Sequence, residues 1–209
     1  MEIIHQLSSQ KEGKTEECNK IVAEKCVANP QLINEIVAGL KDDDKKLQSD
    51  CIEVLTLVAE KMPGLVVPYF DDIIPLISSK ETKTRWEAVH TLAYIAEIIP
   101  DGIFIVLPAL KSLIEKDKST IVRDYAIDTV ANYAKVSAET SGYSYALLKY
   151  ALELWGEKHA RQVFRGFNYV VDNLPDNKAE IKILVQPYLN ADKKIVATEA
   201  KKLIKRTEK

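Results

Sequence analysis

Three histidines (His5, His90, His159), three cysteines (Cys18, Cys26, Cys51) and two acidic runs (Asp42–Asp44 and Asp71-Asp72) are the residues of this 209-residue chain whose types could do chemistry. A transition-metal centre needs several nitrogen or thiolate ligands at short, regular spacing. The histidines are far apart, none is followed by Glu, and no CxxC occurs. No metal and no cofactor are expected. A nucleophilic thiol needs a basic neighbour and partial exposure. Cys18 and Cys26, eight apart on one helical face, and Cys51, on an apolar ladder, read instead as small core residues. A general acid must be partly desolvated. "KDDDKK" lies in a polar turn, where acids suit the start of a helix. Asp71-Asp72 sit in a second helix and can face solvent. Seven scattered glycines form no phosphate-cradling loop, and no enzyme is expected.

Aromatic residues are concentrated. Tyr125, Tyr133, Tyr143, Tyr145, Tyr150, Trp155, Phe164, Phe167 and Tyr169 fall within a short stretch of the chain. Tyr133 and Phe167 occupy ladder positions and are expected in the core. In "SGYSYALLKY", Tyr143 and Tyr150 share a helical face while Tyr145 leans away. Tyrosine combines apolar area with a polar tip, which suits a contact surface. Charge is uneven as well. Residues 1–100 hold 11 Lys/Arg against 17 Asp/Glu, and residues 101–209 hold 18 against 14. The net charge of −2 lacks the basic excess of a dedicated nucleic-acid binder. "MEIIHQLSSQKEGK" lacks a basic start followed by an apolar stretch, and the apolar run Gly102–Leu110 is too short to span a bilayer. A cytoplasmic protein without membrane contact is expected.

What must position these residues is a repeated helix. Cys51, Leu55, Val58, Ala59 and Met62 map onto Ala88, Leu92, Ile95, Ala96 and Ile99 at a shift of 37. Further shifts reach Ala126, Val130, Tyr133, Ala134 and Ser137, then Val163, Phe167, Val170, Val171 and Leu174, then Ala200 and Ile204. This spacing is one face of an α-helix. Breakers follow each copy: Pro63-Gly64, Pro100-Asp101-Gly102, Glu139 to Gly142, and Pro175-Asp176. A second apolar helix and a polar turn complete each unit. Lys14–Ala28 and Gln31–Leu40 read as a first pair, and Met1–Gln10 as a brief capping helix. Pro68, Pro75, Pro108 and Pro187 interrupt the second helices, with Pro75 and Pro187 aligned for a shared bend.

The repeat length, the helix pairing and the stretch Asp117…Val122-Arg123…Ala126 resemble HEAT repeats, in which an acid in the turn and an Arg six residues later recur. Arg85 keeps the basic position with Ser79 at the acidic one, and Asp42 keeps the acid with Gln48 opposite. The resemblance implies an all-α, right-handed α–α superhelix of about five to six armadillo/HEAT-like helical pairs. A single domain over 1–209 is expected, with repeats at about 14–40, 41–77, 78–114, 115–152 and 153–189 and a capping half-repeat at 190–209. Ala200, Leu203 and Ile204 of that cap should face inward, with Lys201, Lys202, Lys205 and Arg206 in water.

HEAT arrays hold partners on their second helices. Alignment places Ile74, Lys111, Lys149 and Gln186 in one column, Pro75, Ser112, Tyr150 and Pro187 beside it, and Asn34, Glu35, Asp71 and Asp72 on the neighbouring stripe. The expected function is a non-catalytic scaffold that binds a protein or peptide through Asp71, Asp72, Lys111, Ser112, Tyr145, Lys149, Tyr150 and Gln186. The second reading is nucleic-acid binding, from a resemblance to HEAT-like DNA glycosylases. That function would need a basic groove, aromatics to hold an exposed nucleotide, for which Trp86, Trp155 and the tyrosines are candidates, and a buried carboxylate.

Overall fold

Some helices in this chain begin where a side chain accepts the orphan N–H groups of a first turn. In the computed structural model, which describes residues 2–11 and 17–208, the described residues form eleven α-helices, several of them joined by short 3-10 turns, and no strand. They are α1 (Glu17–Ala28), α2 (Ile33–Gly39), α3 (Lys45–Lys61), α4 (Phe70–Ile73), α5 (Thr82–Ile95), α6 (Pro100–Lys116), α7 (Thr120–Tyr133), α8 (Ala138–Trp155), α9 (Ala160–Asn173), α10 (Lys178–Val185) and α11 (Lys194–Thr207). Asp44 caps α3 through the Lys46 and Leu47 amides, and Ser119 caps α7 through that of Val122. Residues 14–16 of the expected first helix lie outside the described residues. The expected N-terminal cap is a pair of 3-10 turns, Ile3–Gln6 and Ser8–Gln10, with Met1 also outside.

The chain packs as two compact units, Met1–Ile99 and Pro100–Lys209. In the first, α3 lies between α1 and α5 and also packs on α2; in the second, α7 packs on α6, α8 and α9, and α9 on α11. The ladder residues line these seams. Cys51, Leu55, Val58 and Ala59 are fully buried, as are Ala88, Leu92, Ile95 and Ala96 in the first unit and Ala126, Val130, Val163, Phe167 and Ala200 in the second. The last rung fails in each full copy. Met62, Ile99, Ser137 and Leu174 are exposed or half-buried, because the helix has already ended at Lys61, Ile95, Tyr133 or Asn173. Leu203 is buried, whereas Ile204 is only half-buried.

Two stop signals prove to be starts. Pro100 is the first residue of α6, where a missing N–H costs nothing. Ser137 and Thr140 form a reciprocal capping box that opens α8, so Gly142 lies inside that helix. The prolines act as their chemistry requires. Between Pro63 and Ser78 the second helix of its repeat breaks into 3-10 turns Pro63–Leu65, Val67–Tyr69 and Ile74–Ser78 around the four-residue α4. Pro75 and Pro187 each sit second in a five-residue 3-10 segment, the shared bend expected of them. Pro108 remains within α6 with its ring in solvent.

The acid–arginine motif works through the backbone rather than through a carboxylate. Arg123 Nη1 donates to the Asp117 carbonyl, and Arg85 Nη1 donates to the equivalent Ser79 carbonyl at 2.7 Å. The acid position serves the turn instead. Asp42, Ser79 and Asp117 each accept the N–H two residues on, from Asp44 (2.8 Å), Glu81 (3.2 Å) and Ser119 (2.8 Å). Gln48 Nε2 reaches the Leu40 carbonyl at 2.7 Å and ties its own turn by the same means.

Close helix packing gives opposite expectations for two glycines. A Cβ on Gly166 of α9 would lie 2.5 Å from Leu148 Cδ1 and 3.0 Å from Ala131 Cβ, both in the core, whereas a Cβ on Gly142 meets nothing within 4 Å. Gly142→Ala should stabilise by about 0.5–1 kcal/mol through helix propensity. Gly166→Ala should destabilise by about 1–3 kcal/mol through overpacking, despite the same gain in propensity. Urea midpoints of the two variants, moving in opposite directions, check this.

Candidate functional site

In the second unit, α6 carries the apolar run Ile103 to Leu107. A helix turns 100° per residue, so five consecutive apolar side chains cannot all face inward. Ile103, Val106 and Leu107 are buried; Phe104 (48 % exposed) and Ile105 (73 %) face water. On α8, Tyr143 is 43 % exposed and stacks obliquely on Phe104, with ring centroids 5.0 Å apart. Two turns further on, Lys111 Nζ sits 5.2 Å from the Tyr150 ring, a cation–π contact between the same two helices. Lys149 Nζ reaches Glu180 of α10 at 2.7 Å, and Ile183, one turn beyond Glu180, is 70 % exposed. The second helices of this unit therefore present a face of alternating apolar, aromatic and ionic side chains.

The candidate residues are distributed as follows. Lys111 and Tyr150 meet; Lys149 meets Glu180; Ser112 is exposed on α6, and Gln186 is exposed at the start of the 3-10 segment that follows α10. Tyr145 leans inward, as its position two residues after Tyr143 requires, and its ring packs 5.8 Å from that of Phe167. Burial first, then the Glu180 carboxylate, push its phenol well above the ordinary range, so it stays protonated. Asp71 and Asp72 belong to the first unit. Asp71 is exposed, while Asp72 pairs with Lys41 of the preceding turn at 2.8 Å, and Tyr69 Oη donates to Asn34 Oδ1 at 2.8 Å. Phe104, Ile105, Glu180 and Ile183 were missed by the column alignment. The excess of apolar residues in "GIFIVLPAL" over what one helix can bury was the available signal.

The remaining reactive side chains are engaged. His159 is fully buried, and Nε2 accepts from Arg123 Nε at 3.0 Å, so the ring proton sits on Nδ1, 2.6 Å from Asp124 Oδ1. An Asp–His pair of this kind could serve acid–base chemistry only with a free ring nitrogen, and Arg123 occupies it. Arg123 also lies on the face of Trp155, with Cζ 4.1 Å from the ring centroid; Lys158 stands 5.2 Å from the same ring, and the indole N–H donates to the Ile114 carbonyl at 2.8 Å. Trp86 donates to Glu87 Oε1 at 2.5 Å. Burial pushes the thiol of Cys26 up to about 11 and that of Cys51 up to about 12, which keeps both unreactive at neutral pH. Among the described residues, no group of three or more His, Cys, Asp or Glu could hold a metal ion, and no helix is long and apolar enough to cross a membrane.

No protein-family model matches this sequence, and no curated protein matches it. Solved structures do match its fold. A designed armadillo repeat protein in complex with the peptide (KR)4 superposes with a TM-score of 0.76 at 14% identity, over 98% of this chain and 98% of that one. An engineered protein gives 0.73 at 18% identity over 99% and 97% of the two chains. Computationally designed armadillo repeat proteins for modular peptide recognition give 0.71 at 12% identity over 98% of each. The fold is an all-α solenoid of armadillo/HEAT-like helical repeats.

Proposed function

We propose that this chain is a non-catalytic scaffold that holds an extended peptide segment of a protein partner on the face of its second helices. The single observation that carries the reading is the row of exposed apolar and aromatic side chains on α6, α8 and α10: Phe104, Ile105, Tyr143 and Ile183, framed by Lys111, Tyr150 and Lys149. Large apolar groups held in water on adjacent helices gain most from being covered. Helices pack about 8–10 Å apart and an extended chain advances about 3.3 Å per residue, so a peptide crossing three helices spans about six or seven residues. The designed relative that holds (KR)4 supports a peptide as the occupant. Ser112, Tyr145 and Gln186 are the further contact residues proposed in this unit; Asp71 and Asp72, on α4 of the first unit, are proposed as contact residues of that unit by itself. Buried, protonated thiols at Cys26 and Cys51 suit a reducing, cytoplasmic setting.

Peptides selected from a random library against the intact protein, followed by fluorescence anisotropy, test the reading. Ile105→Glu and Tyr143→Ala should each weaken the selected peptide by about tenfold or more, the equivalent of losing one buried anchor. Ile195→Glu, at an exposed position on α11, should leave affinity unchanged. Equal losses from all three variants, or selected peptides that ignore Ile105 and Tyr143, would remove the assignment to this face.

A further inference from the structure

A second surface of the Pro100–Lys209 unit carries a different chemistry. The first helices α7, α9 and α11 form a half-open cavity of about 320 Å³ lined by Asp128, Arg161, Gln162, Arg165, Asn168, Ile195 and Glu199. Such a volume lies at the small end of ligand pockets, about 300–1,000 Å³. Arg161 and Arg165 are one helical turn apart on α9, so their side chains emerge about 5–6 Å from each other on one face. Arg165 Nη2 lies 2.8 Å from Asp128 Oδ1 at the base of the cavity. Among the described residues, neither the Arg161 guanidinium nor the Gln162 amide makes a hydrogen bond or ion pair.

The other charges around the cavity are matched elsewhere. Glu199 pairs with Lys202 at 2.7 Å, Asp124 with His159, and Arg206 is tied to Asn168 Oδ1 at 2.8 Å and to Asp172. Among the described residues, what remains is one unpaired guanidinium, Arg161, and one unpaired amide, Gln162, lining the same space as the Arg165–Asp128 pair.

We propose that this cavity binds a phosphate group, as the free ion or on a phosphorylated side chain, through Arg161, Arg165 and Gln162, with Asp128 as the residue that positions Arg165. Paired guanidinium forks match the geometry and charge of a phosphate better than any other common group. The carboxylate does not forbid the dianion. Burial pushes Asp128 up to about 6 in spite of both arginines, so an arriving phosphate is readily matched by a proton taken up at Asp128. The site lies on a different set of helices from the peptide face and does not depend on that reading.

Isothermal titration of the intact chain at pH 7 tests it, with sodium phosphate and a phosphoserine tripeptide as the two probes. Arg161→Ala and Arg165→Ala should each weaken binding by about tenfold or more, as expected for lost charge-assisted hydrogen bonds. Asp128→Asn should tighten it by about three- to tenfold, because it removes the competing charge and keeps an acceptor for Arg165. Circular dichroism of Arg161→Ala, an exposed position, shows whether the fold is intact. A tripeptide that binds at least about tenfold tighter than phosphate assigns the site to a phosphorylated side chain; equal affinities assign it to the free ion. Either result supports the site. The proposal is overturned if neither wild type nor Asp128→Asn binds saturably up to about 20 mM, or if Arg161→Ala binds as wild type does. It is also overturned if a thymidine oligonucleotide displaces the tripeptide at lower concentration than phosphate does, since that would point to a phosphodiester surface.

Discussion

Replacing Arg123 by Met is expected to lower the stability of the Pro100–Lys209 unit by about 2–4 kcal/mol, whereas Arg85→Met at the same repeat position should cost about 1 kcal/mol or less. Both arginines tie a turn by donating to a backbone carbonyl six residues earlier. Their surroundings differ. Arg85 is half-buried, and water can replace much of what it gives to the Ser79 and Lys80 carbonyls at 2.7 and 3.0 Å. Arg123 is buried and serves as the hub of a network: Nε bonds His159, Nη1 bonds the Asp117 carbonyl, Nη2 reaches Thr120 Oγ1 at 3.3 Å, and the guanidinium covers the Trp155 ring. Without it, the half-buried Asp117 carbonyl and the buried Nε2 of His159 lose this donor, at up to about 1–3 kcal/mol each. Met refills the space and removes the guanidinium's own desolvation penalty, which offsets part of the loss. Urea unfolding in a Trp86→Phe background, where Trp155 is the remaining indole, measures the first variant, and circular dichroism measures the second. Equal losses at the two positions would show that the carbonyl bond, and not the buried network, carries the contribution.

That comparison also shows why the repeat was legible while its motif looked eroded. Burial of the ladder follows from apolar spacing alone, so Leu55, Leu92, Val130 and Phe167 could be assigned to the core from sequence. The polar motif resisted reading because its letters vary while its hydrogen bonds do not. A carboxylate at Asp42 and Asp117 and a hydroxyl at Ser79 accept the same amide two residues on, and two arginines and one glutamine reach turn carbonyls. His159 and Asp124 escaped notice for a different reason. His159 reaches Arg123 and Asp124 across gaps of 36 and 35 residues, and no local spacing marks such contacts. Helix ends were the least legible elements. Pro100-Asp101-Gly102 and Glu139–Gly142 have the composition of breakers, but a proline at the first helical position and a capping box are also how helices start. At the candidate peptide face, alignment located the helices, but it favoured columns of charge and passed over Phe104 and Ile105, which sit where an apolar run exceeds the core's capacity.

Asp128 sets the second large expectation. Its carboxylate is mostly buried, and Arg165 approaches to 2.8 Å without the alignment of a hydrogen bond, so desolvation outweighs the ion pair and the group is pushed up to about 6. In the unfolded chain the same group ionises near its ordinary value of 3.8. Above that value the unfolded state gives up its proton more readily than the folded one. The contribution of this group to stability should therefore fall as pH rises from about 4 to about 6 and be flat above, by about 3 kcal/mol in total at 1.36 kcal/mol per pH unit. Asp128→Asn cannot ionise and should abolish that slope, leaving a variant about 2–3 kcal/mol more stable than wild type at pH 8 and equal to it near pH 4. His90 in the other unit has the reverse dependence. Burial lowers it to about 4 from 6.5, so Glu87 at 3.9 Å is no ion-pair partner at neutral pH, and stability is lost as pH falls below 6.5 because the unfolded chain takes the proton first. Acidification from pH 6.5 to 4 thus works in opposite directions at the two sites, and a wild-type profile alone would show only their difference. Urea midpoints of Asp128→Asn and wild type across this range isolate the carboxylate. A constant gap between the two curves would mean that Asp128 is ionised throughout and that its pairing with Arg165 outweighs its burial.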